Sequence, residues 1–459
     1  MKKFLFILFA LMLTMATALI GCNVPTAPSR EFFLNDTHLK EYAIVYAEDA
    51  PDYNERAANY LKDTIKKRTG ITLSVLKDTD EPVGEYEILV GETSRALSKA
   101  LSPELSGVEF AVCAEGTRIA IEADYFVIAA AAYYLGETYF PEQSSSASIP
   151  VGTEIHTPIL KEAKNFILLI GDGMGVYQTK MFEYMTKESD FGDGESFFYG
   201  DLFPYHGFSR TDSLSGLTDS AAGGTALSSG YKTENGYIGQ LPDGTDVMTL
   251  PELALSMGWG GGVMSTEGPT GATPSSFSAH TNSRGNTSEI IDDQFYFEYT
   301  LGGGVECKTY GYAAKDIASM ENKIAAMLEK LDDEDGFFLM FEEAYIDKHS
   351  HSNDLDNTYL AVKRFNQAIG RFMEYAFYHP ETMVLITADH ETGGLMPNEQ
   401  GELAYNTDDH TNANVPVFAY GYGAEVFATT AENVQIAMTI AKMMGKDDFG
   451  NQSQFTPLN

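Results

Sequence analysis

Three short apolar runs constrain this chain more than any other feature. Phe166-Ile167-Leu168-Leu169-Ile170, Phe337-Phe338-Leu339-Met340-Phe341 and Val384-Leu385-Ile386-Thr387 lack the polar–apolar alternation of a half-exposed strand. A strand built from any of them has no face to give to water, and such strands belong to parallel sheets covered by helices on both sides. Amphipathic stretches such as Ile317 to Leu331 lie between the runs. The pattern predicts an α/β fold with a mainly parallel central sheet.

Each run stops at a carboxylate. The first ends in Gly171-Asp172-Gly173, the second in Glu342, the third in Ala388-Asp389-His390. Ligands of open parallel sheets collect at the carboxyl ends of the strands, so three acids and a histidine converge on one edge. Unpaired they repel one another, and a cation is their natural partner. Asp347 and His351 are four residues apart, which stacks them on one face of a helical turn. His410 follows in Asp409-His410-Thr411. Carboxylates with two or three imidazoles suit zinc, and an all-oxygen subset suits magnesium. Any one of these residues alone reads as a helix cap or a surface histidine; their joint occurrence does not.

A nucleophile candidate lies in Thr218-Asp219-Ser220-Ala221-Ala222-Gly223-Gly224. The small residues predict a tightly packed helix that begins at Ser220. A serine there is an N-cap or a hydroxyl set among unpaired N–H groups that suit a phosphate. A zinc ion can activate such a hydroxyl for attack.

The 459 residues allow two or three domains at roughly 150 each. The net charge of −36 excludes nucleic acid and anionic membrane surfaces as docking partners, since both need clustered Lys and Arg. Met1-Lys2-Lys3, the apolar stretch Phe4 to Ile20 and Leu19-Ile20-Gly21-Cys22 have the order of an export signal. The stretch resembles a bacterial lipoprotein signal. The resemblance implies cleavage before Cys22, lipid on that residue, and a protein anchored on the cell envelope. Cys113 and Cys307 remain and are read as free thiols. The expected organisation is a leader over 1–21, a tether over 22–40, a small α+β accessory domain over 41–142, a linker over 143–160, the second domain over 161–446 and a tail over 447–459. In the small domain, Ala57, Ala58, Leu61 and Ile65 recur at helical spacing before Gly70, and Tyr125 to Tyr139 reads as an Ala-rich helix stopped by Pro141. Its Glu87-Ile88-Leu89-Val90-Gly91-Glu92-Thr93-Ser94-Arg95 resembles the accessory domain that precedes the barrel of some bacterial glycosidases. No metal or nucleophile spacing occurs there, so packing or spacing is favoured over carbohydrate binding.

Six ordered blocks of the second domain resemble the alkaline phosphatase family: Asp172-Gly173-Met174-Gly175, Thr218-Asp219-Ser220-Ala221, Thr270-Gly271-Ala272-Thr273-Pro274, Ala279-His280-Thr281-Asn282-Ser283-Arg284, Glu342 with Ile346-Asp347-Lys348, and Thr387-Ala388-Asp389-His390. The resemblance implies a three-layer α/β/α sandwich that hydrolyses phosphate monoesters, releasing inorganic phosphate through a phosphoserine on Ser220. It implies a first zinc on Asp347, His351 and His410, and a second on Asp172, Asp389 and His390 that also meets Ser220. Asp172 is then shared with a magnesium site completed by Thr273 and Glu342. Arg284 would grip the phosphate in a fork, with Lys348 reaching it more weakly. His280 is expected to make a structural hydrogen bond.

Two departures stand out. Gly271 occupies a position where the family often places an Asp or His beside the magnesium. The long insertions that build a dimer contact in some members are missing, which leaves the oligomeric state open, a homodimer included. A sulfatase would need a different sequence around Ser220. A phosphodiesterase of the same fold is the nearer rival, although Ser220 with Arg284 favours a monoester. A surface lipoprotein with a retired site is the alternative outside enzymes, and the intact ligand set disfavours it.

Overall fold

The apolar runs form neighbouring strands at the centre of one sheet. The computed structural model describes residues 31–80, 83–101, 105–185, 197–300, 309–311, 317–332 and 335–454. The expected leader, Cys22 and Cys307 lie outside them, and the expected tail is described only to 454.

The N-terminal part contributes a six-stranded sheet and two long helices. They are β1 (Tyr42–Tyr46), α1 (Asp52–Thr69), β2 (Ser74–Lys77), β3 (Tyr86–Val90), β4 (Phe110–Glu115), β5 (Arg118–Glu122), α2 (Ile128–Tyr139) and β6 (Gly152–His156). Their sheet runs β2-β1-β3-β5-β4-β6, parallel as far as β5 and antiparallel beyond. The expected helix before Gly70 is α1, and Gly70 ends it at φ 76°, a left-handed conformation that glycine adopts without strain.

Two stretches expected to connect domains are instead built into this unit. β6 falls in the expected linker, yet pairs along β4 from Phe110↔His156 to Ala114↔Gly152. Its residues are mostly exposed, so no apolar pattern announced it; backbone hydrogen bonds hold it. In the expected tether, Phe32, Leu34 and Leu39 are fully buried. Phe33–Leu34 pairs with Ser146–Ala147, tying the start of the described chain to the end of the domain.

The second sheet uses β7 (Asn165–Gly171), β8 (Tyr205–Ser209), β9 (Gly260–Ser265), β10 (Thr309–Gly311), β11 (Phe337–Glu343), β12 (Thr382–Thr387) and β13 (Val415–Tyr420). Its order is β8-β13-β12-β7-β11-β9-β10. The five strands from β12 to β10 are parallel, while β13 and β8 close one edge antiparallel. Helices placed around it include α3 (Ser220–Ser229), α4 (Leu250–Ser256), α5 (Ala272–Ser276), α6 (Tyr345–Ser350), α7 (Leu355–Tyr378) and α8 (Asn433–Met443), and the amphipathic stretch Ile317–Leu331 is a helix as expected. Successive residues of β7 feed opposite cores. Phe166, Leu168 and Ile170 pack with Leu227, Ile436 and Ile440, while Ile167 and Leu169 pack with Val362, Phe365 and Phe372. The result is the three-layer α/β/α sandwich that runs without alternation require.

The two parts share a core. Ile44, Leu61, Ile121 and Leu135 of the small domain belong to the same buried cluster as Ile369 and Phe372 of α7. Phe126, fully buried, sits 4.8 Å from the Tyr199 ring and 6.0 Å from that of Phe377. Tyr60 stacks on Tyr378 at 4.1 Å, and Arg56 Nε donates to Glu374 Oε1 at 2.7 Å. Packing of this extent makes the small domain a structural partner of the sandwich. Phe126→Ala should therefore cost about 3–5 kcal/mol, the range for a large aromatic removed from a core. Calorimetry should show one unfolding transition that moves as a unit; two separated transitions would refute the shared core.

Candidate metal centre

Register sets the height of the acidic residues. Ile170 of β7 pairs with Glu342 on one side and Thr387 on the other, so Asp172, Glu342 and Asp389 emerge together at the carboxyl ends of three adjacent strands. All are buried: Glu342, Asp389 and His390 completely, Asp172 at 5% exposure. α6 follows β11 directly and carries Asp347; His351 is its C-terminal cap residue, one turn on. His410 comes from a short strand pairing with Glu391–Thr392.

Two groups of donors assemble among the described residues: Asp172 with Asp389 and His390, and Asp347 with His390 and His410, the ligand atoms of each lying within 4.8 Å of one another. His351 joins the second group. Its Nε2 is 3.1 Å from His410 Nε2 and 3.4 Å from Asp347 Oδ1, and His410 Nε2 is 3.6 Å from the same oxygen. In the first group His390 Nε2 is 3.6 Å from Asp172 Oδ1 and 3.3 Å from Asp389 Oδ2. Four ligands held at about 2.0–2.1 Å from a tetrahedral zinc stand about 3.3 Å apart, so both groups have the spacing of a zinc shell. His390 lies within reach of both groups. We assign it to the first, where it faces Ser220, and His351 to the second.

The imidazoles are oriented from behind. His351 Nδ1 meets the Asp408 carbonyl at 2.6 Å, and His410 Nδ1 the Thr218 carbonyl at 2.7 Å. His390 Nδ1 donates to Thr392 Oγ1 at 3.2 Å, and that hydroxyl donates to Asp347 Oδ1 at 2.6 Å. Each contact places the proton on Nδ1 and leaves Nε2 free as a ligand.

Several buried oxygens have no hydrogen-bond partner: Asp172 Oδ1, Asp389 Oδ2, Glu342 Oε1 and Thr273 Oγ1. Orphaned buried acceptors are costly, and four at one sheet edge fit cations. Two sets that combine imidazole with carboxylate suit zinc; the oxygens of Glu342, Thr273 and Asp172 suit a harder ion such as magnesium. Burial and the neighbouring acids, Asp389 first, push the Asp172 carboxyl well up, and burial pushes Asp389 up. Burial and then the facing Glu267 push Glu342 up to about 8. Burial and then His410 push His390 down to about 3, which keeps it neutral and able to ligate.

Ser220 opens α3 and is 4% exposed, with Oγ 3.2 Å from His390 Nε2. Asp219 caps the helix, accepting from Ala222 N at 3.0 Å. The small residues after Ser220 are a matter of space. A Cβ on Gly223 would meet the Asp389 carbonyl oxygen at 2.9 Å, and one on Gly224 would meet Ser276 at 3.0 Å. The helix therefore lies against both the strand end and α5. Arg284 Nη1 donates to Asp219 Oδ2 at 3.1 Å and stands half-exposed beside the serine. Lys348 Nζ pairs with Glu267. His280 Nε2 meets the Val247 carbonyl at 3.1 Å, a structural contact as expected. Asp219, Thr392 and Glu267 had no assigned role at the level of sequence. Asp219 lay inside a recognised block; nothing local marked the other two.

Several known proteins are similar to this chain. The family model described as "Alkaline phosphatase" matches residues 163–299 and 303–405. Alkaline phosphatase 3 of Bacillus subtilis is 27% identical over 416 residues, covering 62% of this chain and 89% of that protein. Alkaline phosphatase 4 of the same organism is 29% identical over 301 residues, covering 54% and 65%. Among solved structures, the alkaline phosphatase of the Antarctic bacterium TAB5 aligns with TM-score 0.53 at 27% identity, over 64% of this chain and all of that one. A His-to-Glu variant of it is described with Mg bound in the M3 site.

The buried groups set a pH dependence for protein stripped by a chelator. Glu342 binds its proton more tightly folded, at about 8, than unfolded, near 4.5. The stability it supports is present at low pH and is lost as pH rises toward 8. His390, depressed from 6.5 to about 3, acts oppositely, but only below about 6.5. The melting temperature of chelated protein should therefore fall between about pH 6.5 and 8, while metal-loaded protein does not follow it. A stripped protein that gains stability over that window would overturn the assignment.

Proposed function

The chain belongs to the alkaline phosphatase family and is a phosphatase, and from that premise we propose that it cleaves phosphate monoesters through a phosphoserine on Ser220. Asp347, His351 and His410 would hold one zinc and Asp172, Asp389 and His390 a second. Asp172, Thr273 and Glu342 would serve a magnesium. The observation that carries this reading is the Ser220 hydroxyl at a helix N-terminus, 3.2 Å from a ligand nitrogen of the adjoining metal group. When bound, the cations supply positive charge that lowers the pKa of the serine hydroxyl and stabilises the departing oxygen.

The chain's own residues do the positioning. The first N–H groups of α3 and the positive end of its dipole face the phosphoryl oxygens. Asp219 caps that helix and also holds Arg284, so nucleophile and phosphate-gripping fork share one anchor. A planar guanidinium matches two phosphate oxygens, as a monoester dianion presents them. The Oγ–P bond forms in line as the ester P–O bond breaks. Water then attacks the phosphoserine from the side the ester oxygen has left, opposite Oγ, so that the P–Oγ bond breaks, inorganic phosphate is released and a proton returns to Ser220. With a loose transition state, such positioning and charge account for most of the acceleration.

Purified protein supplied with zinc and magnesium should hydrolyse an aryl phosphate with a kcat/KM far above that for the matching bis-aryl diester. Ser220→Ala should retain its metals, form no phosphoenzyme and lose on the order of 10³-fold or more in turnover. A specificity ratio near one, or a Ser220→Ala variant that turns over normally, would sink the reading.

We also propose that the mature chain begins at a lipid-bearing Cys22 on the cell envelope. No helix among the described residues is long and apolar enough to cross a membrane; the support for an anchor is the order of charge, apolar stretch and cysteine in the leader. Cys22→Ser should move the protein from the detergent-extracted membrane fraction to the soluble one; unchanged fractionation would refute the anchor.

A further inference from the structure

Position 271 breaks the family's pattern, and its surroundings explain how. Gly271 has φ −58° and ψ 157°, values open to any residue, so the backbone does not demand glycine. Space does. A Cβ there would fall 1.7 Å from Glu267 Oε1 and 2.2 Å from its Cδ. The Glu267 carboxylate occupies the volume in which a side chain at 271 would begin.

Resting on the phosphatase reading above, we propose that Glu267 supplies to the third cation site the carboxylate that position 271 lacks, with Gly271 as the vacancy that admits it. Glu267 leaves the end of β9, whose Ser265 pairs with Glu342 in the sheet. Its N–H donates to Ser265 Oγ at 3.0 Å, and that hydroxyl donates to Glu342 Oε2. One oxygen of Glu342 is thereby satisfied, while Oε1 stays buried without a partner, as do Thr273 Oγ1 and Asp172 Oδ1. The Glu267 carboxylate thus lies against position 271, two residues before Thr273, while its N–H is tied through Ser265 to Glu342. Lys348 Nζ holds Glu267 Oε2 and lies 4.9 Å from the Tyr345 ring. The lysine therefore acts as a clamp on the added carboxylate. A third acid makes the shell harder and more negative, which favours magnesium over zinc.

The test is titration of zinc-loaded protein with Mg²⁺ by calorimetry, and with Mn²⁺ by its paramagnetic signal. Glu267→Gln keeps size and removes charge. It should weaken binding of both ions by about 10–100-fold, the range for groups that support a metal shell, with zinc content unchanged. The double variant Gly271→Asp with Glu267→Ala returns a carboxylate by the other route and should recover most of that loss. Glu267→Gln that binds both ions as tightly as the parent would overturn the proposal, and so would a double variant that is folded, zinc-loaded and no better than Glu267→Ala alone. The phosphoenzyme assay reads the phosphatase assignment separately. Its failure in the parent chain would remove that assignment while the titrations still decide where the carboxylate of this cation site comes from.

Discussion

Mutual repulsion of buried carboxylates is the constraint on which the second domain is organised. Asp172, Glu342 and Asp389 end three adjacent parallel strands at one height, and burial alone pushes each of them toward neutrality. A sheet cannot keep such a row in water-free surroundings without positive charge. The rest of the edge follows from that demand. Imidazoles arrive with Nδ1 fixed from behind and Nε2 forward, and buried oxygens of Asp172, Glu342 and Asp389 are left without a donor. The same demand removes any conflict between a net charge of −36 and an anionic substrate. Acids that count toward the surplus form the cage, and divalent ions held within it would reverse the local sign.

Much of this was legible in sequence because the relevant signals were local or periodic. Runs without alternation named the central strands, and their terminal acids named the sheet edge. Asp347 and His351 declared a helical turn by their spacing. The missed features depend on contacts between distant segments. β6 is exposed and polar, and only its backbone ladder to β4 makes it a strand. Phe32, Leu34 and Leu39 sit among prolines and polar residues, and their burial depends on distant chain: Phe140 packs on Phe32, and Ser146–Ala147 returns to pair with Phe33–Leu34. Glu267 and Thr392 are ordinary residues in sequence, and acquire roles only when β9 and β12 bring them to the edge.

The accessory domain bears on the site through α7. That helix packs on one side against Ile167 and Leu169 of β7 and on the other against Phe126, Tyr60 and Arg56. Within the sandwich, Arg364 of α7 donates to the buried Glu343 at 3.0 Å, one residue beyond Glu342. A contiguous core thus runs from the small domain to the strand that presents a metal ligand. Nothing in that path needs a ligand of its own; a rigid backing for α7 is enough to hold β11 in register.

The separation of the two donor groups is written in glycines more than in the ligands themselves. Gly173, with φ +73°, would bring a Cβ to 2.9 Å from the Cα of Asp347 and 2.8 Å from Thr392 Oγ1. The turn after β7 and the start of α6 therefore touch backbone to backbone. Gly223 does the same for α3 against Asp389. Each contact shortens a path across the site: Asp172 to Asp347 through Gly173, which joins the two groups, and Ser220 to Asp389 through Gly223, which joins the nucleophile to the first. Side chains could relax around a misplaced ion, but main chains in contact cannot approach further or drift apart without disturbing the sheet. A phosphoryl group transferred between a serine and a departing oxygen needs charge at both ends of one short line. Residues with no side chain set the length of that line.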